Sequence, residues 1–382
     1  MAVASSQRYS RQTILPGVGD SGQRRLSEAS VLVVGAGGLG SPAGLYLAAA
    51  GVGRIGIVDD DVLEVSNLQR QVLYSEADVG SPKAEAAVTR LRGLNSESEI
   101  IALRARLMPS NALDIFVDYD LVIDAADNYA TRYLVSDACA LLGKPHVWGS
   151  VFQMEGQVSV WWPARQGPCY RCVFPSNQGA ALVPSCAEAG VLGAVCGSIG
   201  AAQATAALGL ILGYGDDSVG VLRTLDARTG RWEDLSPTRR PECPACGADG
   251  FTTLFDAPEY AGDACAAPRD GAVASITPAG LAELLASSPE GLVVIDVRET
   301  SERDEGHIMG DESFPLQQFL DGAARERLDA ATEIVLYCRS GMRSARAWRS
   351  LPSDVQSRTR NLEGGMLAWS GSQSAVDLSS TL

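Results

Sequence analysis

Histidine is nearly missing from this 382-residue chain, which carries only His146 and His307. Histidine-based triads and histidine-rich metal centres are therefore poor candidates, and many hydrolases drop out with them. Lysine is equally scarce, since only two of the 31 basic residues, Lys83 and Lys144, are lysine. A lysine kept among so many arginines is a candidate point charge on phosphate, against the plainer reading of a leftover surface residue. No apolar run reaches the roughly 18 residues of a membrane span; the longest stretch, 199–212, is broken by glycines and Gln203. Membrane is therefore not an expected partner. Positive charge is in deficit, with a net charge of −15 and a pI near 4.6. Phosphate backbones recruit basic surfaces, so nucleic acid is not an expected partner either. The N-terminus has no charged start followed by an apolar core, which argues against a secretory signal and for a cytoplasmic protein.

What is present is ample core material. The chain is 46% hydrophobic, and its length suits two domains better than one. Nine cysteines without a secretion signal read as metal ligands and reactive thiols, not as disulfides.

The stretch from Val31 to Lys83 organises the first half. Val31-Leu32-Val33-Val34 runs directly into Gly35-Ala36-Gly37-Gly38-Leu39-Gly40, with Ser41 and Pro42 suited to a helix start. Such glycines let backbone approach a phosphate, and free amides at the helix start favour its charge. A second apolar run, Ile55 to Val58, ends at Asp59. A dinucleotide fold places an acid for a ribose hydroxyl about 20 residues after its loop. The next segment, Asp59 to Gln71, packs acids, amides and Arg70 together, and Lys83 follows. A dehydrogenase has no use for that cluster, whereas a triphosphate needs cations along its length. The βα pattern then continues through a helix at 84–94, a strand at 99–104 and a short helix at 112–116. The strand Leu121 to Asp124 leads to Asp127 and Asn128, either of which would cap a helix at 129–142. Cys139 and Cys196 lie on apolar helical patterns, and a buried helix is expected at 197–212.

Residues 8–249 resemble the adenylating enzymes of the MoeB/ThiF family, bacterial relatives of ubiquitin-activating enzymes. The matching motifs are Arg8-Tyr9-Ser10-Arg11-Gln12, the glycine loop, Asp59 to Gln71, Lys83, Asp124-Ala125-Ala126-Asp127-Asn128 and two Cys-x-x-Cys pairs. The resemblance implies an ATP site in which Gly35, Gly37, Gly38 and Gly40 line the loop and Asp59 holds ribose. Asn67, Arg70 and Lys83 would neutralise phosphates, with Arg11 entering from the other subunit of a homodimer. Asp127 would hold magnesium (Mg2+), a carboxylate beside phosphate being a usual site for that ion.

Cys169-x-x-Cys172 and Cys243-x-x-Cys246 suit a four-sulfur structural zinc (Zn2+) site better than a redox pair, given their proline and glycine neighbours. Cys186 matches the crossover-loop cysteine that some family members use as acyl acceptor or resolving thiol; a small loop residue is the alternative. Residues 251–274 read as a linker in which Cys265 is incidental.

A second domain begins at Ile276-Thr277-Pro278, with strands at 292–297 and 334–337. Its Gly306-His307-Ile308 segment, the loop Cys338-Arg339-Ser340-Gly341-Met342-Arg343-Ser344 and the closing Leu362 to Trp369 resemble a rhodanese domain over 275–370, with 371–382 a tail. Cys338, at a strand end before a helix start, sits where amides and the positive charges of Arg339 and Arg343 favour thiolate. Met309 and Asp311 replace the usual proline and alanine of this family's loop, and His307 is expected to brace it. The predicted fold is α/β throughout: a Rossmann-like adenylating domain over 1–250 with a structural zinc site, then a small α/β rhodanese domain.

The two resemblances imply one reaction sequence. A small ubiquitin-like sulfur-carrier protein ending in Gly-Gly would be adenylated, and a Cys338 persulfide, loaded from thiosulfate or a cysteine desulfurase, would then convert its C-terminus to a thiocarboxylate. Molybdopterin, thiamine, cysteine, thiolated tRNA and sulfur-containing natural products all draw on such relays. Adenylation alone beside an unrelated sulfurtransferase, a non-catalytic docking scaffold and a dinucleotide oxidoreductase are the competing readings.

Overall fold

The computed structural model describes residues 7–175, 190–254, 260, 274–287, 289–304, 306–339 and 341–370. The chain divides into two compact units, Met1–Ala266 and Ala267–Leu382. Cys186, Cys265, Ser340, most of the expected linker and the expected tail lie outside the described residues.

In the first unit, a one-turn helix α1 (Ser10–Thr13) and α2 (Gly19–Glu28) precede β1 (Ser30–Val34), α3 (Gly40–Ala50) and β2 (Arg54–Val58). They are followed by α4 (Lys83–Leu94), β3 (Glu99–Leu103), α5 (Pro109–Phe116), β4 (Leu121–Asp124) and α6 (Tyr129–Leu142). Then come β5 (His146–Phe152), β6 (Glu155–Trp161), α7 (Tyr170–Val173), α8 (Gly193–Leu212), β7 (Leu222–Asp226) and β8 (Arg231–Leu235). The eight strands form one sheet in the order β3-β2-β1-β4-β5-β6-β7-β8. It is parallel from β3 to β5 and antiparallel from β5 to β8. Val31 to Val34 are all buried, as a parallel strand covered on both faces requires. Order reverses between β1 and β4, so the crevice beyond their C-terminal ends is where such sheets bind ligands.

The expected helix at 197–212 begins earlier, at Gly193. By length and apolarity α8 alone among the described helices would suffice to cross a membrane, but half of it is buried inside the unit. Its one amide, Gln203, is fully buried and donates to the Asp124 and Val147 carbonyls at 2.7 and 3.1 Å, stitching the helix to β4 and β5. A side chain at Gly200 would meet the Leu39 carbonyl at 2.3 Å, so glycine there sets how closely α8 approaches the glycine loop.

In the second unit the order is β9 (Ser275–Ile276), α9 (Pro278–Ser287), β10 (Leu292–Asp296), α10 (Thr300–Asp304), β11 (Glu312–Ser313) and α11 (Leu316–Leu320). The unit continues with α12 (Arg325–Ala330), β12 (Glu333–Tyr337), α13 (Met342–Arg349), α14 (Ser353–Gln356) and β13 (Thr359–Leu362). Its parallel sheet has the order β11-β10-β12-β13-β9, placing β12 at the centre. Thr277 caps α9 as expected, its hydroxyl accepting from the Gly280 amide at 3.1 Å. Ile334 to Tyr337 are fully buried, and the chain leaves the core at Cys338.

Candidate functional site

The glycine loop joins β1 to α3, and its glycines do different work. Gly35 has φ +94°, and a Cβ there would lie 2.9 Å from the Ala125 carbonyl; at Gly40 it would lie 1.9 Å from the Gly35 carbonyl. Those two let backbone cross backbone. Gly37 is less crowded, a Cβ there meeting only the Gln71 side-chain nitrogen, at 3.6 Å. Gly38 lies under Cys196 Sγ at 3.1 Å and Arg70 Cγ at 3.5 Å by the same measure. Amides at such a helix start favour an anion.

Asp59, at the end of β2, is tied to this loop. Its Oδ2 accepts from the Ala36 amide and its Oδ1 from the Asp61 amide, both at 2.8 Å. Burial pushes its carboxyl above the ordinary value, while the two amides pull it back. Lys83 opens α4 and is buried, with Nζ 2.8 Å from Asp61 Oδ2. Its burial does not fit the alternative of a leftover surface residue. Lys144, by contrast, serves structure by donating to the Val117 carbonyl at 2.8 Å. The Tyr74 hydroxyl lies 2.8 Å from the Ala36 carbonyl and 3.2 Å from the Lys83 carbonyl, linking loop and lysine. Asn67 is buried and its Oδ1 accepts from the Glu64 amide at 3.2 Å, closing a turn. Arg70 donates to the Ser66 carbonyl at 3.0 Å, which holds its stem beside Gly38. Sequence reasoning missed Tyr74 and Gln71; Gln71 is 3% exposed with Oε1 unpartnered.

The choice between Asp127 and Asn128 as helix cap resolves to Asn128, whose Oδ1 accepts from the Thr131 amide at 2.8 Å. Asp127 is exposed, and its carboxylate makes no hydrogen bond among the described residues. Beneath it Asp124 is fully buried, with Oδ1 on the Ala126 amide at 3.0 Å and Oδ2 on His146 Nε2 at 3.1 Å. Arg11 stands elsewhere. The Tyr9 ring fills the space over Gly51, and Gln12 Nε2 donates to the Ala50 carbonyl at 3.0 Å. Both contacts anchor α1 at the C-terminal end of the 11-residue α3. At about 1.5 Å per residue, that end is roughly 16 Å from the glycine loop at the other. Arg11 itself is exposed, its side chain without partner among the described residues.

The two Cys-x-x-Cys pairs meet. Cys169 Sγ lies 3.8 Å from Cys172 Sγ and 3.5 Å from Cys243 Sγ, and Cys172 Sγ lies 3.5 Å from Cys246 Sγ. All four sulfurs fall within 4.8 Å of one another and are buried. These separations are far beyond the roughly 2.05 Å of a disulfide. They suit four thiolates about 2.3 Å from one tetrahedral ion. The Arg240 amide donates to Cys172 Sγ at 3.4 Å. Gly247 closes the second knuckle, where a Cβ would meet the Pro241 and Cys243 carbonyls at 2.4 and 2.5 Å. Arg171, between the first two cysteines, forms a buried ion pair with Asp137 at 2.8 Å. The Tyr260 hydroxyl donates to the same carboxylate at 2.6 Å, seating one residue of the expected linker on the first unit.

In the second unit Cys338 is 1% exposed. The Gly341 amide donates to its sulfur at 3.2 Å, and Ser344 Oγ lies 3.5 Å away. Gly365 makes room behind the loop, where a Cβ would lie 2.4 Å from the Cys338 carbonyl, and the Met366 amide donates to that carbonyl at 2.8 Å. Arg339 is exposed. Arg343 corrects an expectation. Its guanidinium grips Glu302 in a fork, Nη1 to Oε2 at 2.6 Å and Nη2 to Oε1 at 2.7 Å, so its charge is already matched. His307 is exposed and its ring makes no hydrogen bond among the described residues, so it does not brace its loop. Asp311 does that instead: it accepts from Arg303 at 2.6 Å and from the Tyr337 hydroxyl, which in turn accepts from the Ile308 amide at 3.2 Å.

Comparison with known proteins agrees with this division. The profile of the ThiF family matches residues 9–245, and that of the rhodanese-like domain matches 277–372. The chain is 43% identical over 369 residues to a probable adenylyltransferase/sulfurtransferase MoeZ of Mycobacterium tuberculosis, covering 95% of this chain and 92% of the relative. It is 52% identical over 244 residues to a sulfur carrier protein adenylyltransferase of Thermus thermophilus, covering 63% of this chain and 90% of the relative. Identity to the adenylyltransferase and sulfurtransferase MOCS3 of Anopheles gambiae is 40% over 381 residues, covering 95% and 86%. Among solved structures, Escherichia coli MccB with AMPCPP superposes with a TM-score of 0.56 at 24% identity, covering 63% of this chain and 75% of that one, a likeness of fold. With both profiles matched and relatives at 40–43% identity over nearly the whole chain, the chain belongs to the ThiF family and carries a rhodanese-like domain after its adenylating half.

Proposed function

We propose that this chain adenylates the C-terminal glycine of a small sulfur-carrier protein with ATP and then delivers sulfur to it from Cys338, leaving a thiocarboxylate. The observation that supports the reading is the linkage of the glycine loop, Asp59 and the buried Lys83: Asp59 holds the Ala36 amide, Lys83 pairs with Asp61, and the Tyr74 hydroxyl joins the Ala36 and Lys83 carbonyls. The relatives named for both activities support it.

The first step joins a carboxylate oxygen of the carrier to the α-phosphorus of ATP and releases pyrophosphate. In-line displacement needs positioning and charge neutralisation more than acid or base groups, which fits a chain so poor in histidine. Asp59 keeps lone pairs for a ribose hydroxyl, and Gly37 and Gly38 admit the phosphates. Lys83, Arg70 and the Asn67 amide group spread the developing charge. Asp127, free of capping duty, would offer a carboxylate to magnesium, which would offset phosphate charge. Arg11, held about 16 Å from its own loop, serves the loop of a second copy, so the active form is a homodimer. The four cysteines would hold one zinc ion, tying 169–172 to 243–246 without entering the chemistry.

In the second step the terminal sulfur of a Cys338 persulfide attacks the acyl carbon and AMP leaves. The bond between that sulfur and Cys338 is then broken by a second thiol, with Cys186 a candidate to form the resulting disulfide. ATP-pyrophosphate exchange with Gly-Gly carriers from the same genome tests the reading. Stimulation by one carrier, abolished by deleting its last glycine, is expected. Zinc-loaded, folded protein giving no exchange with any carrier would overturn it.

A further inference from the structure

We infer that Glu302 is a specificity-determining residue of the cysteine loop, withholding Arg343 from a free dianionic sulfur donor such as thiosulfate. The inference rests on the sulfur-transfer role proposed for Cys338.

In the loop sequence Arg343 lies between the two residues that face the cysteine sulfur, Gly341 by its amide and Ser344 by its hydroxyl. An unmatched guanidinium there would be the natural clamp for a dianion. It is not unmatched. Both of its terminal nitrogens are committed to Glu302, at 2.6 and 2.7 Å, with both side chains about a quarter exposed. The carboxylate is itself held in place. Arg298 forks onto the buried Asp296 at 3.0 and 2.7 Å and donates through Nη1 to the Glu302 carbonyl at 3.1 Å. The Glu299 amide adds a bond to Glu302 Oε2 at 3.2 Å. A thiosulfate ion at Cys338 would therefore have to break a charge-assisted fork or sit near a fixed carboxylate of its own sign. Arg339, the residue after the cysteine, is exposed. A persulfide carried on a protein brings one negative charge at most and its own contact surface, so it does not depend on Arg343.

Either donor loads Cys338 without an oxidant. The thiolate attacks the sulfane sulfur and the S–S bond breaks. Sulfite leaves from thiosulfate, or the donor's cysteine thiolate leaves from a protein persulfide, and in both cases Cys338 retains the sulfur as a persulfide.

The test compares the full-length wild type with Glu302→Gln, Glu302→Asp and the double variant Glu302→Gln/Arg343→Gln. Thiocyanate is followed with thiosulfate and cyanide, and persulfide loading is followed with a cysteine desulfurase and cysteine. Glu302→Gln is expected to lower the KM for thiosulfate roughly three- to tenfold, the size of one released ion pair, with kcat little changed. Loading from the desulfurase should not accelerate, Glu302→Asp should resemble wild type, and the gain should vanish in the double variant. An unchanged or raised KM in Glu302→Gln, or a gain that survives loss of Arg343, would overturn the inference. If Glu302→Gln fails to fold, Glu302→Ala takes its place: a lowered thiosulfate KM that Arg343→Gln removes supports the inference, and an unchanged or raised KM overturns it. Thiocyanate formation that persisted in Cys338→Ala would instead refute the role of Cys338, a result independent of Glu302.

Discussion

Lys83→Met separates the proposed phosphate role of this lysine from a structural one. The substitution keeps the apolar stem of a side chain that is 8% exposed and removes only the ammonium. Its partner Asp61 is 67% exposed, so water replaces the lost ion pair at a stability cost of about 1 kcal/mol or less. The cost in catalysis should be far larger. One preorganised cation on a transferring phosphoryl group stabilises the transition state by about 3 to 4 kcal/mol, or roughly 100- to 1,000-fold in rate. Arginine should not rescue fully, because its bulkier planar guanidinium does not reproduce the point charge that the buried Lys83 stem carries to Asp61. Carrier-stimulated ATP-pyrophosphate exchange and thermal unfolding, measured on the same samples, read the two costs. A variant with exchange within about threefold of wild type, or one whose exchange falls only because it unfolds, would refute the assignment.

Mixing Arg11→Ala with Lys83→Met chains should restore exchange to roughly a quarter of wild type, because half of randomly paired dimers hold one complete site; no recovery would contradict the shared site. Cys243→Ser should lose zinc by metal analysis and unfold the first unit at clearly lower temperature, since a closed four-sulfur site contributes folding energy directly; unchanged metal content would remove the zinc assignment. Glu302 is held below its ordinary value near 4.5, first by its hydrogen bonds to Arg343. Its contribution is therefore fully present above the unfolded value and lost as pH falls through the lower folded one. The stability difference between wild type and Glu302→Gln should thus be constant above about pH 5 and shrink below about pH 4.5, as followed by thermal unfolding.

Much of this was legible because the chemistry is local. A glycine loop between an apolar strand and a helix start needs only neighbouring residues, and β1, β2, β4 and α6 fall within a residue of their expected bounds. Cys139 and Cys196 are core residues for the same reason, both sitting on helical apolar patterns. What stayed hidden depends on contacts distant in sequence. The first turn of α8 begins with Gly193, where a Cβ would strike the Gln69 carbonyl at 2.2 Å, an approach no local pattern announces. Arg343 and Glu302 lie 41 positions apart, so loop charge counted from sequence overstated what the folded loop offers. Asp127 and Asn128 are equally good caps by composition, and only the Asn128 contact with Thr131 decides between them. Asp311, a departure from the usual rhodanese loop, proves to be the brace that His307 was expected to be.

The central claim, that one chain both adenylates and sulfurates, is tested most directly by the mass of the carrier's C-terminus in wild type and Cys338→Ala after incubation with ATP and a sulfur donor. The account predicts exchange of one oxygen for one sulfur in wild type. In Cys338→Ala it predicts an acyl adenylate that forms at the normal rate and never becomes thiocarboxylate. Thiocarboxylate appearing at the wild-type rate without Cys338 would contradict it.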